Sequence, residues 1–176
     1  MTAPTEPDLV VLSASNGENL RLAKRFEEAA TARGSKADLI DLTTVELPLF
    51  SPRSQSAGAG EHLQALQQRL HAAPRWLICA PEYNGSIPPV LSNAIAWLSV
   101  LDEDFRSLFN GRPVAIATVS GGGGMELLLS LRIQLTHLGA DVLGRQLLSN
   151  KARPAIDSSL EDLLHRLLQR TPLHLP

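Results

Sequence analysis

Residues 76–80, Trp-Leu-Ile-Cys-Ala, form an unbroken apolar run that passes directly into Pro81-Glu82-Tyr83-Asn84-Gly85-Ser86-Ile87 and then Pro88-Pro89. A short run that is apolar at every position reads as a strand buried on both faces, the kind found in parallel sheets. The proline pair ends any extended pairing. It suits the first turn of a helix, where a backbone N–H has no partner to lose. A buried strand, a polar loop and an immediate helix make up the repeating unit of an open α/β sheet. Such sheets bind ligands at the carboxyl ends of their strands.

The rest of the chain repeats the unit. Apolar runs predict strands over 9–12, 36–42, 75–80, 112–119 and 140–143, and helices are expected over 19–33, 61–72, 89–100, 125–138 and 157–170. In the first helix Leu20, Ala23, Phe26, Ala29 and Ala30 share a face, largely opposite Arg21, Lys24, Arg25 and Glu28. Gly34 and Gly139 read as helix stops, Ser158 to Glu161 fits a capping box, and 47–60 reads as a Ser/Gly/Pro-rich loop. Five alternations of strand and helix imply an α/β doubly wound parallel sheet of five strands with helices on both faces. The expected order is 2-1-3-4-5, with a crevice between strands 1 and 3. Alternation alone also admits a Rossmann half.

The 176 residues suit a single domain over 1–176, with 1–8 a loose tail because Pro4, Pro7 and two acidic residues replace the basic start of a signal peptide. No apolar run approaches the ~20 residues of a membrane span. With 16 basic and 18 acidic residues and 4% aromatics, no nucleic-acid partner is expected. Cys79 has no second cysteine to pair with and sits in an apolar run, so it reads as a buried structural thiol in a cytoplasmic protein. His62, His71, His137, His165 and His174 lack ligand spacing, so no metal site is expected. Asp41, at the end of the second strand, reads as a turn cap.

Three unusual loops follow strands 1, 3 and 4, and all should leave the same edge. The first, Ser13-Ala14-Ser15-Asn16-Gly17-Glu18-Asn19, offers hydroxyls, amides and the open N–H groups of a helix start, which suit a phosphate. It reads equally as an N-cap and a turn. The second is 81–87. The third, Ser120-Gly121-Gly122-Gly123-Gly124, carries an entropic cost that makes sense where a ligand closely approaches the backbone.

The wording of the second segment resembles the NADPH-dependent FMN reductase family: Pro-Glu-Tyr-Asn at 81–84, Ser-Ile-Pro at 86–88, then Leu91, Asn93-Ala94-Ile95 and Trp97-Leu98. The resemblance extends over roughly 9–143, including Asn110-Gly111-Arg112-Pro113 and the glycine run. It implies a flavodoxin-like fold and bound FMN. In the first loop Ser13, Ser15, Asn16 and Asn19 would hold the phosphate. The loop is one residue short and lacks the family's arginine, and Glu18 adds a negative charge. Pro81, Glu82, Tyr83, Asn84 and Ser86 would hold the polar edge of the ring, with Ser120, Gly121, Gly122 and Gly123 beside it. Glu82 is expected to bind neighbouring backbone or a subunit partner, and Asn84 and Ser86 also read as turn formers.

The implied activity is hydride transfer from NADPH or NADH to flavin N5. A small-molecule acceptor, such as a quinone, flavin, azo compound or metal oxyanion, then takes the electrons in ping-pong fashion. No side chain need be catalytic. A homodimer or homotetramer is implied, with 48–60 and the helix over 89–100 as contacts and Trp97 in core or interface. No arginine pair for a 2′-phosphate is visible, so the choice between NADPH and NADH stays open.

Two other readings stand beside this one. A non-enzymatic FMN carrier or regulatory module would share the same loops. Thr118-Val119-Ser120-Gly121-Gly122 also approximates a nucleophile elbow, with Asp141 or Asp157 and then His165 in hydrolase order.

Overall fold

The computed structural model describes residues 6–173. The expected tail over 1–8 therefore lies mostly outside the described residues, as does His174. Asp8 is tied down: its carboxylate accepts from Lys36 N at 2.7 Å.

The elements run β1 (Leu9–Ser13), α1 (Glu18–Ala32), β2 (Ala37–Asp41), α2 (Pro52–Ala57), α3 (Glu61–Ala72), β3 (Trp76–Cys79) and α4 (Pro89–Leu98). Then come β4 (Pro113–Val119), α5 (Met125–His137), β5 (Asp141–Val142), β6 (Leu147–Ser149) and α6 (Asp157–Leu168). The strands are parallel in the order β2-β1-β3-β4-β5, the flavodoxin-like doubly wound arrangement.

A sixth strand departs from the expected five. β5 pairs with Pro113 and Val114, whereas β6 pairs with Ala117, Thr118 and Val119. The edge strand is thus one track in two pieces. The excursion between them is held by Arg132, which donates to the carbonyls of Val142 and Leu143 and to Gln146 Oε1. A short helix, α2, also replaces part of the expected loop. Ser51 and Ser54 cap it reciprocally, each hydroxyl accepting from the other's N–H. The capping box expected at Ser158–Glu161 does not form. The helix begins at Asp157 and lacks a side-chain cap, so Ser158 falls inside its first turn. The Asp157 carboxylate instead accepts from Arg25 at 2.6 Å. Asp41 does cap a turn, accepting from Thr43 N at 2.9 Å.

Strand residues alternate between two cores. Val10, Leu12, Trp76, Ile78, Val114 and Ile116 face α3, α4 and α5. Leu9, Val11, Leu77, Cys79, Ala115 and Ala117 face α1 and α6. Trp97 belongs to the first core, with Nε1 donating to Pro48 O at 2.7 Å and Phe50 packed edge-on against its ring at 5.2 Å. The segment around Pro48 therefore covers α4 within one chain. Burial against apolar neighbours raises the Cys79 thiol pKa.

Candidate functional site

Register brings the three loops to one edge. Ser13 lies opposite Cys79, and Cys79 opposite Ala117, so the chain leaves β1, β3 and β4 at one level. Two bonds carry the pairing beyond the strands, Ala14 N to Cys79 O at 2.9 Å and Ala80 N to Ala117 O at 3.1 Å. Thr118 Oγ1 adds a third by donating to Ala80 O at 2.7 Å.

In the first loop the side chains divide into two groups. Ser13 is fully buried and donates to Ser15 O at 2.7 Å. Asn19 is buried too, and its amide is spent twice on one residue. Nδ2 donates to Val119 O and Oδ1 accepts from Val119 N, both at 2.9 Å. This clasp ties the first loop to the third across a hundred residues of sequence. Ser13 and Asn19 therefore shape the loop with their side chains already committed. Ser15 Oγ and the exposed Asn16 side chain have no partner among the described residues. Gly17 is the N-cap and makes no side-chain bond, so the N-cap expected of Ser or Asn is absent. Arg21 N, bonded to Gly17 O at 3.1 Å, is the first main-chain donor of α1 to find a partner. The N–H groups of 16–20 donate to no described residue.

The second loop is a miniature hairpin. Tyr83 and Ser86 exchange main-chain bonds of 3.1 and 3.0 Å. Asn84 (φ 52) and Gly85 (φ 67) form the turn between them, the left-handed pair that Asn-Gly favours. The turn-forming role of Asn84 is thus present. Pro81 is buried, while Tyr83 is half exposed. Glu82 reaches out of the hairpin to accept from Leu127 N at 3.4 Å, in the first turn of α5. That contact with neighbouring backbone links the second loop to the third and suits the positive end of the helix.

In the third loop Ser120 is buried, its Oγ accepts from Gly122 N at 3.2 Å, and its own N–H donates to Ser149 O at 3.0 Å. Gly124 (φ 76) is the N-cap of α5, and a Cβ there would lie 3.0 Å from Thr118 Cγ2. The chain itself requires glycine at that position. At Gly121 and Gly122 it does not, because neither has a positive φ and an added Cβ would meet nothing closer than Glu82 Oε1 at 3.7 Å. Open backbone at these two glycines, beside the unspent donors of 16–20, fits a phosphate-bearing planar ligand. The residues present therefore fit FMN.

The hydrolase arrangement does not assemble. Asp141 pairs with Pro113 at the entering edge of β4, whereas Ser120 follows its far end. Asp157 is held by Arg25. His165 lines a groove with Asp8 and Arg75 at the entering edge. A groove of about 700 Å³ also lies away from the loops, between α6 and 143–145, where Arg145 and Arg166 both pair with Asp162. Among the described residues no group of His, Cys, Asp or Glu could hold a metal, and no helix is long and apolar enough to cross a membrane.

Sequence reading missed Thr118, the Val119 main chain and Ser149 as parts of this edge. Their roles depend on partners in distant strands and leave no local pattern.

The model of the NADPH-dependent FMN reductase family matches residues 7–154. The chain is 29% identical over 143 residues to an NAD(P)H-dependent FMN reductase of Pseudomonas aeruginosa, covering 78% of this chain and 75% of that protein. It is 36% identical over 103 residues to a quinone reductase of Escherichia coli, covering 57% of this chain and about half, 53%, of that protein's length. The fold is similar to that of FerB, a flavoenzyme NAD(P)H:(acceptor) oxidoreductase of Paracoccus denitrificans. Its TM-score is 0.74 at 21% identity, over 92% of this chain and 95% of that one, a likeness of fold alone. With the family model spanning all three loops, the chain belongs to the NADPH-dependent FMN reductase family, a family of flavin oxidoreductases.

Proposed function

We propose that this chain binds FMN across its three loops and uses NADPH or NADH to reduce a small acceptor, such as a quinone or a free flavin. The observation that carries this reading is the set of unspent main-chain donors at 16–20 beside the open backbone of Gly121 and Gly122. When bound, FMN would supply two-electron redox chemistry between the nicotinamide and the acceptor.

The protein's part is to bind and orient. Ser15 Oγ, Asn16 and the N–H groups of 16–20 hold the phosphate at the positive end of α1. The hairpin of 81–87 presents rigid main chain to the ring edge, fixed by Pro81 and the Asn84-Gly85 turn. Tyr83 and Ser86, both exposed on the hairpin, would lie next to the ring. The unspent N–H groups of Gly121 and Gly123 would be available as hydrogen-bond donors to the ring. Glu82 positions the third loop through α5 and serves no acid–base step.

Self-association belongs to the same reading. The expected contact set, 48–60 with the helix over 89–100, is one continuous surface, since Pro48 and Phe50 bond to Asn93 and Trp97 of α4. α5 also turns Met125, Leu129 and Ile133 outward at 44%, 51% and 70% exposure, opposite its buried leucines. A helix apolar on both sides calls for cover. A second copy seated there would adjoin the third loop, because Met125 directly follows Gly124. The lone buried thiol of Cys79 suits a cytoplasmic setting.

The test is steady-state oxidation of NADPH by the FMN-loaded protein with a benzoquinone as acceptor. Sustained turnover proportional to enzyme supports the reading. Flavin binding without turnover would identify a carrier and overturn it.

A further inference from the structure

Asn-Gly occurs three times in the chain, at Asn16-Gly17, Asn84-Gly85 and Asn110-Gly111. In this dipeptide the glycine nitrogen can attack the asparagine side chain, because no Cβ on the glycine obstructs the approach. The nitrogen bonds to Cγ and the side-chain nitrogen leaves as ammonia. Water then opens the cyclic imide to aspartate or isoaspartate. The attack needs a glycine N–H free of any acceptor and a carboxamide free to swing onto it. All three asparagines are exposed, so exposure does not rank them. The glycine nitrogens do. Gly111 N donates to Gly139 O at 2.8 Å, and the Asn110 carboxamide fills the space where a Gly139 side chain would lie. Gly17 N and Gly85 N donate to no described residue, and neither Asn16 nor Asn84 has a side-chain partner among them.

We propose that Asn16 and Asn84 are sites of spontaneous deamidation, that Asn110 is not, and that a ligand on the loop edge slows the reaction. The empty protein then ages at its own binding edge, while the loaded protein is preserved. The occupancy half of this proposal rests on the reading of that edge as an FMN site.

The consequences at the two sites differ. At Asn16 the product sets a carboxylate among the free donors of 16–20, beside Glu18, where it opposes a phosphate. Asn84 is the left-handed first residue of the hairpin turn, with φ 52. Isoaspartate there lengthens the main chain between Tyr83 and Ser86, whose exchanged bonds of 3.1 and 3.0 Å fix the hairpin. Protection follows from the same geometry. A phosphate that accepts from Gly17 N takes the attacking nitrogen away, and a ring against the hairpin restrains Asn84.

The test is peptide mass mapping of the full chain during incubation in mildly alkaline buffer, alone, with FMN and with riboflavin. The urea-unfolded chain gives the reference rate for each asparagine. Without ligand, Asn16 and Asn84 should convert at least about tenfold faster than Asn110, the scale of the one main-chain bond that must first break. Saturating FMN should slow Asn16 about tenfold, the scale of one hydrogen bond on Gly17 N. Riboflavin, which lacks the phosphate, should slow Asn84 alone. Asn16→Asp reproduces one product and should weaken FMN about tenfold while riboflavin affinity stays within about twofold.

The proposal is overturned if Asn110 converts as fast as the other two, or if Asn16 and Asn84 persist while the unfolded chain converts. FMN that binds, as its spectrum reports, yet protects neither site overturns the occupancy half. If FMN does not bind, the flavin reading fails and the occupancy half fails with it. The ranking of the three asparagines is decided by the ligand-free arm alone.

Discussion

At the edge where strands enter the sheet, Gly111 and Gly139 have φ of 70° and 87°. A side chain at Gly111 would come within 2.9 Å of Leu173, and one at Gly139 would collide with Asn110. Gly111 N also donates to Gly139 O at 2.8 Å. Around them the polar groups are spent. Arg112 stacks over Trp76 and donates to Leu108 O and Ala73 O, and burial lowers its pKa to about 10. At the edge where strands leave, Gly121 and Gly122 show neither a left-handed backbone nor a crowded neighbour, and the donors of 16–20 are unspent. The first pair of glycines is explained by the chain. The second pair is required by neither φ nor packing, and the proposed ligand would use that open backbone.

The comparison can be broken most forcefully at the entering edge. Gly139→Ala should cost about 2–4 kcal/mol, combining a left-handed alanine with a steric collision. Urea unfolding at constant slope would measure it, and FMN affinity of the folded fraction should not change. Asn19→Ala comes next. It leaves both main-chain groups of Val119 unpaired and should cost about 1–3 kcal/mol. FMN affinity should fall as well, because the clasp holds two loops in register. A stability loss with unchanged FMN affinity would show that the clasp serves the fold alone.

Gly121→Ala should do the reverse of Gly139→Ala. Stability should stay within about 1 kcal/mol of the native chain. FMN affinity should fall about tenfold, equivalent to ~1.4 kcal/mol. Equal stability and equal affinity would remove the ligand explanation for this glycine. The smallest effect expected is at Cys79, between the two edges. Its thiol pKa is raised by burial, so the folded chain keeps a proton that the unfolded chain releases above pH 9.0. Its contribution to stability is whole below that pH and declines as pH rises above it. Thiol reagents at pH 8 should leave the native protein unlabelled, and labelling at the unfolded rate would contradict this burial.

Much of the architecture was legible because each long element carries its own pattern. Trp76 to Cys79 is apolar at every position, and Leu63, Leu66 and Leu70 mark one face of α3. β6 was not legible because Leu147-Leu148-Ser149 becomes a strand only by lying against Ala117–Val119. α2 was hidden by composition, since serine and glycine suggest a loop until Ser51 and Ser54 are seen to cap each other. At the site, the positions of the three loops could be read but the division of labour within them could not. Ser13 and Asn19 look like phosphate donors in sequence, yet Asn19 spends its amide on a residue a hundred positions away.

The most direct test of the central claim is an anaerobic absorption titration of the purified protein, first with FMN and then with NADPH. The account predicts near-stoichiometric FMN binding, a perturbed oxidised-flavin spectrum and its bleaching by NADPH. A chain that folds cooperatively but leaves the FMN spectrum unchanged at tens of micromolar would contradict it.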